Sequence, residues 1–174
     1  MVKNKVVIIG GGLAGLVSSI HLSKKGISVT VIEKNTYPKH KVCGEYISNE
    51  VLPYLQSLGF NPFEFQAKEI TDFTLSTSSN TTIKTKLPLG GFGISRYTLD
   101  YELAKLASEN GVEIIHDYVN QIDFKNEIFS ITTKSNKTFT ADIVIGAYGK
   151  RSNIDINLKR SFICLLYTSD AADD

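Results

Sequence analysis

The sequence predicts an α/β fold: a parallel sheet begun by a βαβ unit and extended by an inserted β-hairpin and an antiparallel β-meander. Three patterns carry that reading. Val6 to Ile9 is an unbroken β-branched run, the mark of a strand covered on both faces. Leu13 to Lys25 then changes to helical spacing, and Ser28 to Glu33 returns to an apolar strand. Further on the period becomes two from Ile70 to Leu87, a hairpin that a plain alternation of strands and helices does not contain, and short strands between Val119 and Thr140 read as an antiparallel meander.

In the first unit, Ala14, Val17, Ser18 and His21 are expected on one helix face, flanked by Leu16, Ile20 and Ser23, with Gly26 as a left-handed stop. The two strands are expected as parallel neighbours joined by a right-handed crossover. Lys34 to Tyr46 reads as irregular, and a short helix is placed at 49–57, ending at Gly59. The hairpin spans 70–87 about a turn at Ser78-Ser79-Asn80, and Pro88 to Gly93 reads as a loop. A helix is predicted over 98–110, with Leu99, Leu103, Leu106 and Ala107 at core spacing. A strand at 112–115 precedes the meander, made of 119–124, 128–133 and 138–140 with a turn at Ser135-Asn136. Ala141 to Ala147 is predicted as another buried parallel strand.

Composition narrows the classes. A chain of 174 residues, 42% hydrophobic and 21% charged, suffices for one domain with a core. A net charge of +1 gives no reason to expect nucleic acid or an anionic membrane surface as partner. Cys43 and Cys164 are far apart and lack metal-ligand spacing, which fits a reducing compartment better than a disulfide framework. Lys3 and Lys5 before an apolar run imitate a secretory leader, but Gly10, Gly11 and Gly12 interrupt it. A cytoplasmic protein without membrane insertion is expected.

The chemistry begins at Gly10-Gly11-Gly12-Leu13-Ala14-Gly15, a G-x-G-x-x-G between a predicted strand and helix. Gly10 suits the tight turn, Gly12 the approach of a diphosphate, and Gly15 close packing of helix on strand. The anion would meet free amides and the helix dipole around Leu13 and Ala14. Glu33 ends the second strand, 18 residues after Gly15, placed to accept ribose hydroxyls, with Lys34 beside it. These residues alone fit the ADP half of either NAD or FAD. The hairpin, Arg96 just ahead of a helix, and a second glycine turn at Gly146-Ala-Tyr148-Gly149-Lys150-Arg151-Ser152 favour FAD.

With those features in place, residues 5–160 resemble the FAD-dependent oxidoreductases that include p-hydroxybenzoate-hydroxylase-like monooxygenases, flavin halogenases and geranylgeranyl reductases. The resemblance implies a Rossmann-like FAD-binding domain in which Gly10, Gly12, Gly15 and Glu33 hold the ADP moiety. It implies a flavin-side contact for Arg96 within the pattern Arg96, Leu99, Asp100, Leu103, and a backbone contact to adenine for Val119. Pro38 to Glu45, with Lys41, Cys43 and Gly44, is similar to the segment of the reductase branch that lies near the isoalloxazine. Gly146 and Gly149 match the family's G-A-D-G-x-x-S turn, whereas Tyr148 replaces its aspartate, so that contact does not carry over.

Plainer readings stand beside these. Arg96 would also pair with Asp100 or Glu102, Cys43 would be a small buried residue, and Lys39 to Lys41 a solvated charge run. His21 and His116 have no partner that suggests catalysis. Residues 164–174 look like an in-frame translation of a library-preparation adapter, so the native gene is expected to continue past Phe162 or Ile163.

The functional expectation is therefore the FAD-binding part, residues 1–163, of a flavin-dependent oxidoreductase. An insert at about 66–95 would belong to its substrate side. The enzyme would be a reductase of an apolar, isoprenoid-like substrate or an aromatic monooxygenase acting on a small molecule, with NAD(P)H as possible donor. The alternatives are an NAD-binding module or a non-catalytic fragment that holds FAD weakly. No metal site is expected, and catalytic residues and oligomeric state are not assigned.

Overall fold

The computed structural model describes residues 4–43, 45–149 and 154–158. Gly44, Lys150, Arg151, Ser152 and the 164–174 segment lie outside the described residues. The chain divides into two units, one formed by the chain up to Lys39 and from Asp100 onward, the other by His40–Leu99.

In the first unit, β1 (Lys5–Ile9), α1 (Leu13–Lys24) and β2 (Ser28–Glu33) form the expected βαβ start. β1 and β2 pair in parallel, from Lys5 opposite Ser28 to Ile9 opposite Ile32. Their apolar runs are buried, as β-branched residues between two covered faces should be. β2 also pairs in parallel with the strand at Glu113–His116, and β1 with the strand at Ile143–Gly146.

α1 turns a different face inward from the one its pattern suggested. Gly15, Leu16, Ser19 and Ile20 are buried, while Ala14 is exposed and Val17, Ser18 and His21 are half-buried. Close backbone contact at Gly15 sets this rotation, and the i, i+4 partners of 15 and 16 follow it inward. Ser19 satisfies its buried hydroxyl on the Leu16 carbonyl at 2.7 Å.

The second unit holds β3 (Tyr46–Ser48), a 3-10 turn at Asn49–Val51, α2 (Leu52–Ser57), a further 3-10 turn at Pro62–Phe65, β4 (Lys68–Ser76) and β5 (Thr82–Gly93). The predicted loop at 88–93 is the end of β5, and Tyr46 opens a strand rather than closing an irregular stretch. Together they make a three-stranded antiparallel sheet in the order β3-β5-β4, not a bare hairpin. Pro88 fits because the β4–β5 register jumps from Asp72 opposite Lys86 to Ile70 opposite Gly91, so Pro88 lies in a bulge where no ladder N–H is required. Gly91 lies under the Tyr46 ring, and a Cβ there would come within 2.4 Å of it.

α3 (Arg96–Glu109) begins two residues earlier than predicted, so Arg96 is its first residue. Ser95 caps it, accepting the Thr98 N–H at 3.2 Å. In the first unit again, β6 (Glu113–His116) completes one side of the parallel sheet. The meander follows as β7 (Val119–Lys125), β8 (Ile128–Thr133) and β9 (Thr138–Ala141). The strand predicted at 141–147 is split: Ala141 ends β9, and β10 (Ile143–Gly146) forms a sheet edge in the order β10-β1-β2-β6. With one strand neighbour among the described residues it is only half covered, and Ile143 is 46% exposed. The core of this unit joins sheet and meander through Val7, Ile9, Ile32, Val119 and Ile131. α4 (Ile154–Asn157) adds Ile154 to it.

Candidate functional site

The site lies where β1 and β2 end and α1 begins, the place a parallel α/β sheet offers to a nucleotide. β1 runs straight into the glycine turn. Gly10 has φ +105°, and a Cβ there would sit 2.4 Å from the Ala147 carbonyl oxygen, so a side chain is barred by conformation and by space. Gly15 faces the other side of the same turn, with the Gly10 carbonyl oxygen 1.9 Å from where its Cβ would stand. The roles predicted for these two glycines thus have a direct steric basis.

Gly12 is the N-cap of α1, with no side-chain cap and no acidic residue in the first turn. The amides at Leu13 and Ala14 therefore meet a positive helix end with no built-in anion. That is the condition a diphosphate requires.

Glu33 is 6% exposed, and its carboxylate is already engaged. One oxygen accepts the Gly11 N–H at 2.7 Å, and the other accepts the Asn35 backbone N–H at 3.0 Å and its side-chain amide at 2.8 Å. These donors fix the carboxylate in place, as a recognition group needs. The sequence did not point to Gly11, which falls on a position the G-x-G-x-x-G pattern leaves open, or to Asn35, which lies beyond the motif in the stretch after β2.

Beside this network a cleft is lined by Ile9, Gly10, Ile32, Glu33, Val119 and Tyr148, with Lys34 at its exposed rim. Val119 opens β7 and is 4% exposed. Asp117 also borders the cleft; hydrogen bonds from the Ser135 hydroxyl, then Thr133, and from the Tyr118 N–H hold its carboxyl down to about 2. Tyr148, which stands where the resemblance has an aspartate, lies against Gly146 and donates its hydroxyl to Asp155 at 2.5 Å. Gly149 follows in the left-handed region at φ +74°.

The structure thus brings Gly10, Gly12, Leu13, Ala14, Gly15, Glu33, Lys34, Val119, Gly146 and Gly149 into one unit. Cys43 and Arg96 belong to the other. Cys43 is exposed, which sets aside its reading as a small buried residue. Arg96 is half-buried, and Glu102, one proposed partner for it, pairs with Lys105 at 2.8 Å. His116 is held by Asn35, its Nδ1 2.9 Å from that carbonyl oxygen. No group of three or more His, Cys, Asp or Glu residues fit to hold a metal occurs among the described residues.

Residues 3–164 match the family described as FAD binding domain. The chain belongs to that family. As an FAD-binding domain it has a turn, a helix end and a fixed acid that suit the ADP portion of the cofactor. It is 28% identical over 171 residues to the FAD-dependent monooxygenase olcE of Penicillium canescens, covering 90% of this chain and 36% of that protein. It is 30% identical over 116 residues to digeranylgeranylglycerophospholipid reductase 2 of Methanothermobacter thermautotrophicus, covering 65% and 29%. Among solved structures, the flavin-dependent halogenase CmlS superposes with a TM-score of 0.79 at 25% identity, covering 91% of this chain and 32% of that one. The chain spans 26 to 38% of the length of the first curated relatives it matches. No helix among the described residues is long and apolar enough to cross a membrane.

Proposed function

We propose that this FAD-binding domain serves a flavin-dependent oxidoreductase acting on a small, apolar substrate. The observation that carries the reading is the Gly10–Gly15 turn, closed by Glu33 on the Gly11 amide and opening onto an uncapped helix end. When bound, the flavin ring supplies two-electron redox chemistry. The chain's own residues bind and orient its nucleotide end. Gly12, Leu13 and Ala14 present amides to the diphosphate, and Glu33 takes a ribose hydroxyl. A carboxylate has roughly four acceptor sites, and three are filled here, so Glu33 has room for about one such hydroxyl. Val119 borders the adenine, with Lys34 at the rim. Gly146 and Gly149 flank the diphosphate, while Arg96, Cys43 and Gly44 serve the flavin side.

A reductase of an isoprenoid-like chain is the preferred activity, supported by the Pro38-to-Glu45 segment and the reductase relative. Similarity to a monooxygenase and a halogenase favours oxygen-dependent chemistry as the second reading. In either case NAD(P)H is the proposed donor and the cytoplasm the proposed compartment. The insert at about 66–95 is assigned to the substrate side.

Flavin absorbance tests the cofactor. A protein carrying this domain at its natural full length should purify yellow, and a colourless protein that also fails to take up added FAD would refute the reading. Turnover without oxygen selects the reductase, whereas substrate-dependent oxygen consumption selects the monooxygenase. The 174-residue chain by itself should hold FAD weakly.

A further inference from the structure

One polar group beside the glycine turn belongs to no motif. Tyr37 follows Glu33 by four residues and is half-buried. Its hydroxyl donates to the Gly11 carbonyl oxygen at 2.5 Å. On the other side of the same residue, the Gly11 N–H donates to Glu33 at 2.7 Å. Both peptide planes that meet at the Gly11 Cα are thus held by side chains, one by an acceptor and one by a donor. Fit is close as well, since a Cβ on Gly11 would lie 1.9 Å from the Tyr37 oxygen and 2.9 Å from the Glu33 Cβ.

Peptide planarity gives this clamp a direction. In a trans peptide the C=O and the following N–H point opposite ways. A hydroxyl that fixes the Gly11 carbonyl therefore also fixes the Gly12 N–H, at the N-terminus of α1. Glycine would otherwise sample many orientations here. The Tyr37 ring is itself held edge-on against His116, with centroids 5.8 Å apart. Burial, reinforced by the nearby Glu33 and Asp100 carboxylates, raises its hydroxyl well above the ordinary tyrosine value, so it stays protonated and able to donate.

We propose that Tyr37 is a positioning residue for diphosphate: through the Gly11 carbonyl it aims the Gly12 amide at the anion. The inference rests on the ADP-site reading above. It assigns Tyr37 no contact with the ligand and no part in the redox step. Its effect is confined to the phosphates, because the adenosine cleft is bordered by Ile32, Glu33 and Val119 instead.

The test uses two probes on the whole chain, ADP and adenosine, with affinities measured by NMR titration for wild type and Tyr37→Phe. Loss of one aiming hydrogen bond should weaken ADP about five-fold and leave adenosine within about two-fold. The Gly12 amide resonance, which ADP shifts in the wild type, should shift less in the variant. Gly11→Ala should be less harmful in the Tyr37→Phe background than alone, since the colliding oxygen is then gone. Equal loss of both probes, or no loss of ADP, would overturn the positioning role while leaving the site reading intact. A wild-type chain that binds adenosine and ADP equally, or neither, would overturn the site reading and this inference together.

Discussion

Gly15→Ala adds one methyl group where α1 meets the glycine turn. On the native backbone the new Cβ lies 1.9 Å from the Gly10 carbonyl oxygen, against the 3.0 Å below which real Cβ atoms essentially never go. The partner is backbone in a close-packed turn, so the helix has to withdraw by about 1.1 Å or more. Leu16 and Ile20, both fully buried on that face, then lose part of their contact with the sheet. A gap of about 0.5–1 Å forfeits a quarter to a half of a dispersion well, and overpacking strain adds about 1–3 kcal/mol. The expected cost is about 3 kcal/mol in all, a fall in Tm of roughly 9 °C for a chain of this size. Thermal and urea denaturation measure it, with Gly26→Ala as a control at the other end of the same helix. Gly26 has φ +78° with nothing within 4 Å of its Cβ position, so only left-handed strain of about 1–2 kcal/mol is expected there. If Gly15→Ala proves no more damaging than Gly26→Ala, the close approach deduced at Gly15 is wrong.

Gly12→Asp places a carboxylate at the α1 N-cap, a position that favours aspartate for helix stability but opposes an anionic ligand. Tm should hold or rise while ADP affinity falls more than about a hundredfold, as like charges in a binding site cost several kcal/mol; retained ADP binding in titration would contradict the site. Asp117, with its ordinary 3.8 lowered to about 2, contributes stability above pH 3.8 that is lost as pH falls toward 2. Asp117→Asn should flatten the acid limb of a Tm-against-pH curve in that window. Tyr37 runs the other way: its contribution is complete below 10.0 and is lost as pH rises beyond it, because the unfolded chain ionises there first. Tyr37→Phe should reduce the alkaline decline in denaturation midpoints above pH 10.0, and an unchanged slope would mean that another group causes it.

What could be read from sequence was local. The β1–α1–β2 unit shows itself within 33 residues because burial on both faces and glycine punctuation leave short-range patterns. The end of β5 was hidden because Pro88, Gly90, Gly91 and Gly93 have a loop's composition, and its strand character comes from pairing with Ser48, over forty residues away. The inward face of α1 was obscured because one contact at Gly15 rotates the helix, and periodicity cannot see that contact. In the candidate site, Gly10, Gly12, Gly15 and Glu33 stand out in the sequence because each sits at a fixed offset in a motif. Asn35 and Tyr37 could not, as their parts depend on where the chain after β2 folds back. A third glycine between two motif glycines was the one available signal, since it implies that something packs closely against Gly11.

The pairing of β1 with β10 bears on how the domain comes together during synthesis. Val6 stands beside Ile143 and Ile9 beside Gly146, and Ala147 closes against Gly10. The first helix and its two strands can form as soon as they leave the ribosome, since their contacts are near in sequence. One wall of the Gly10 turn is made by the chain nearly 140 residues later. Until that segment emerges, an edge of β1 stays unpaired and available to other strands. A nascent chain interrupted before β10 should therefore bind nucleotide poorly and be prone to edge-to-edge association, even with every residue of its glycine motif in place.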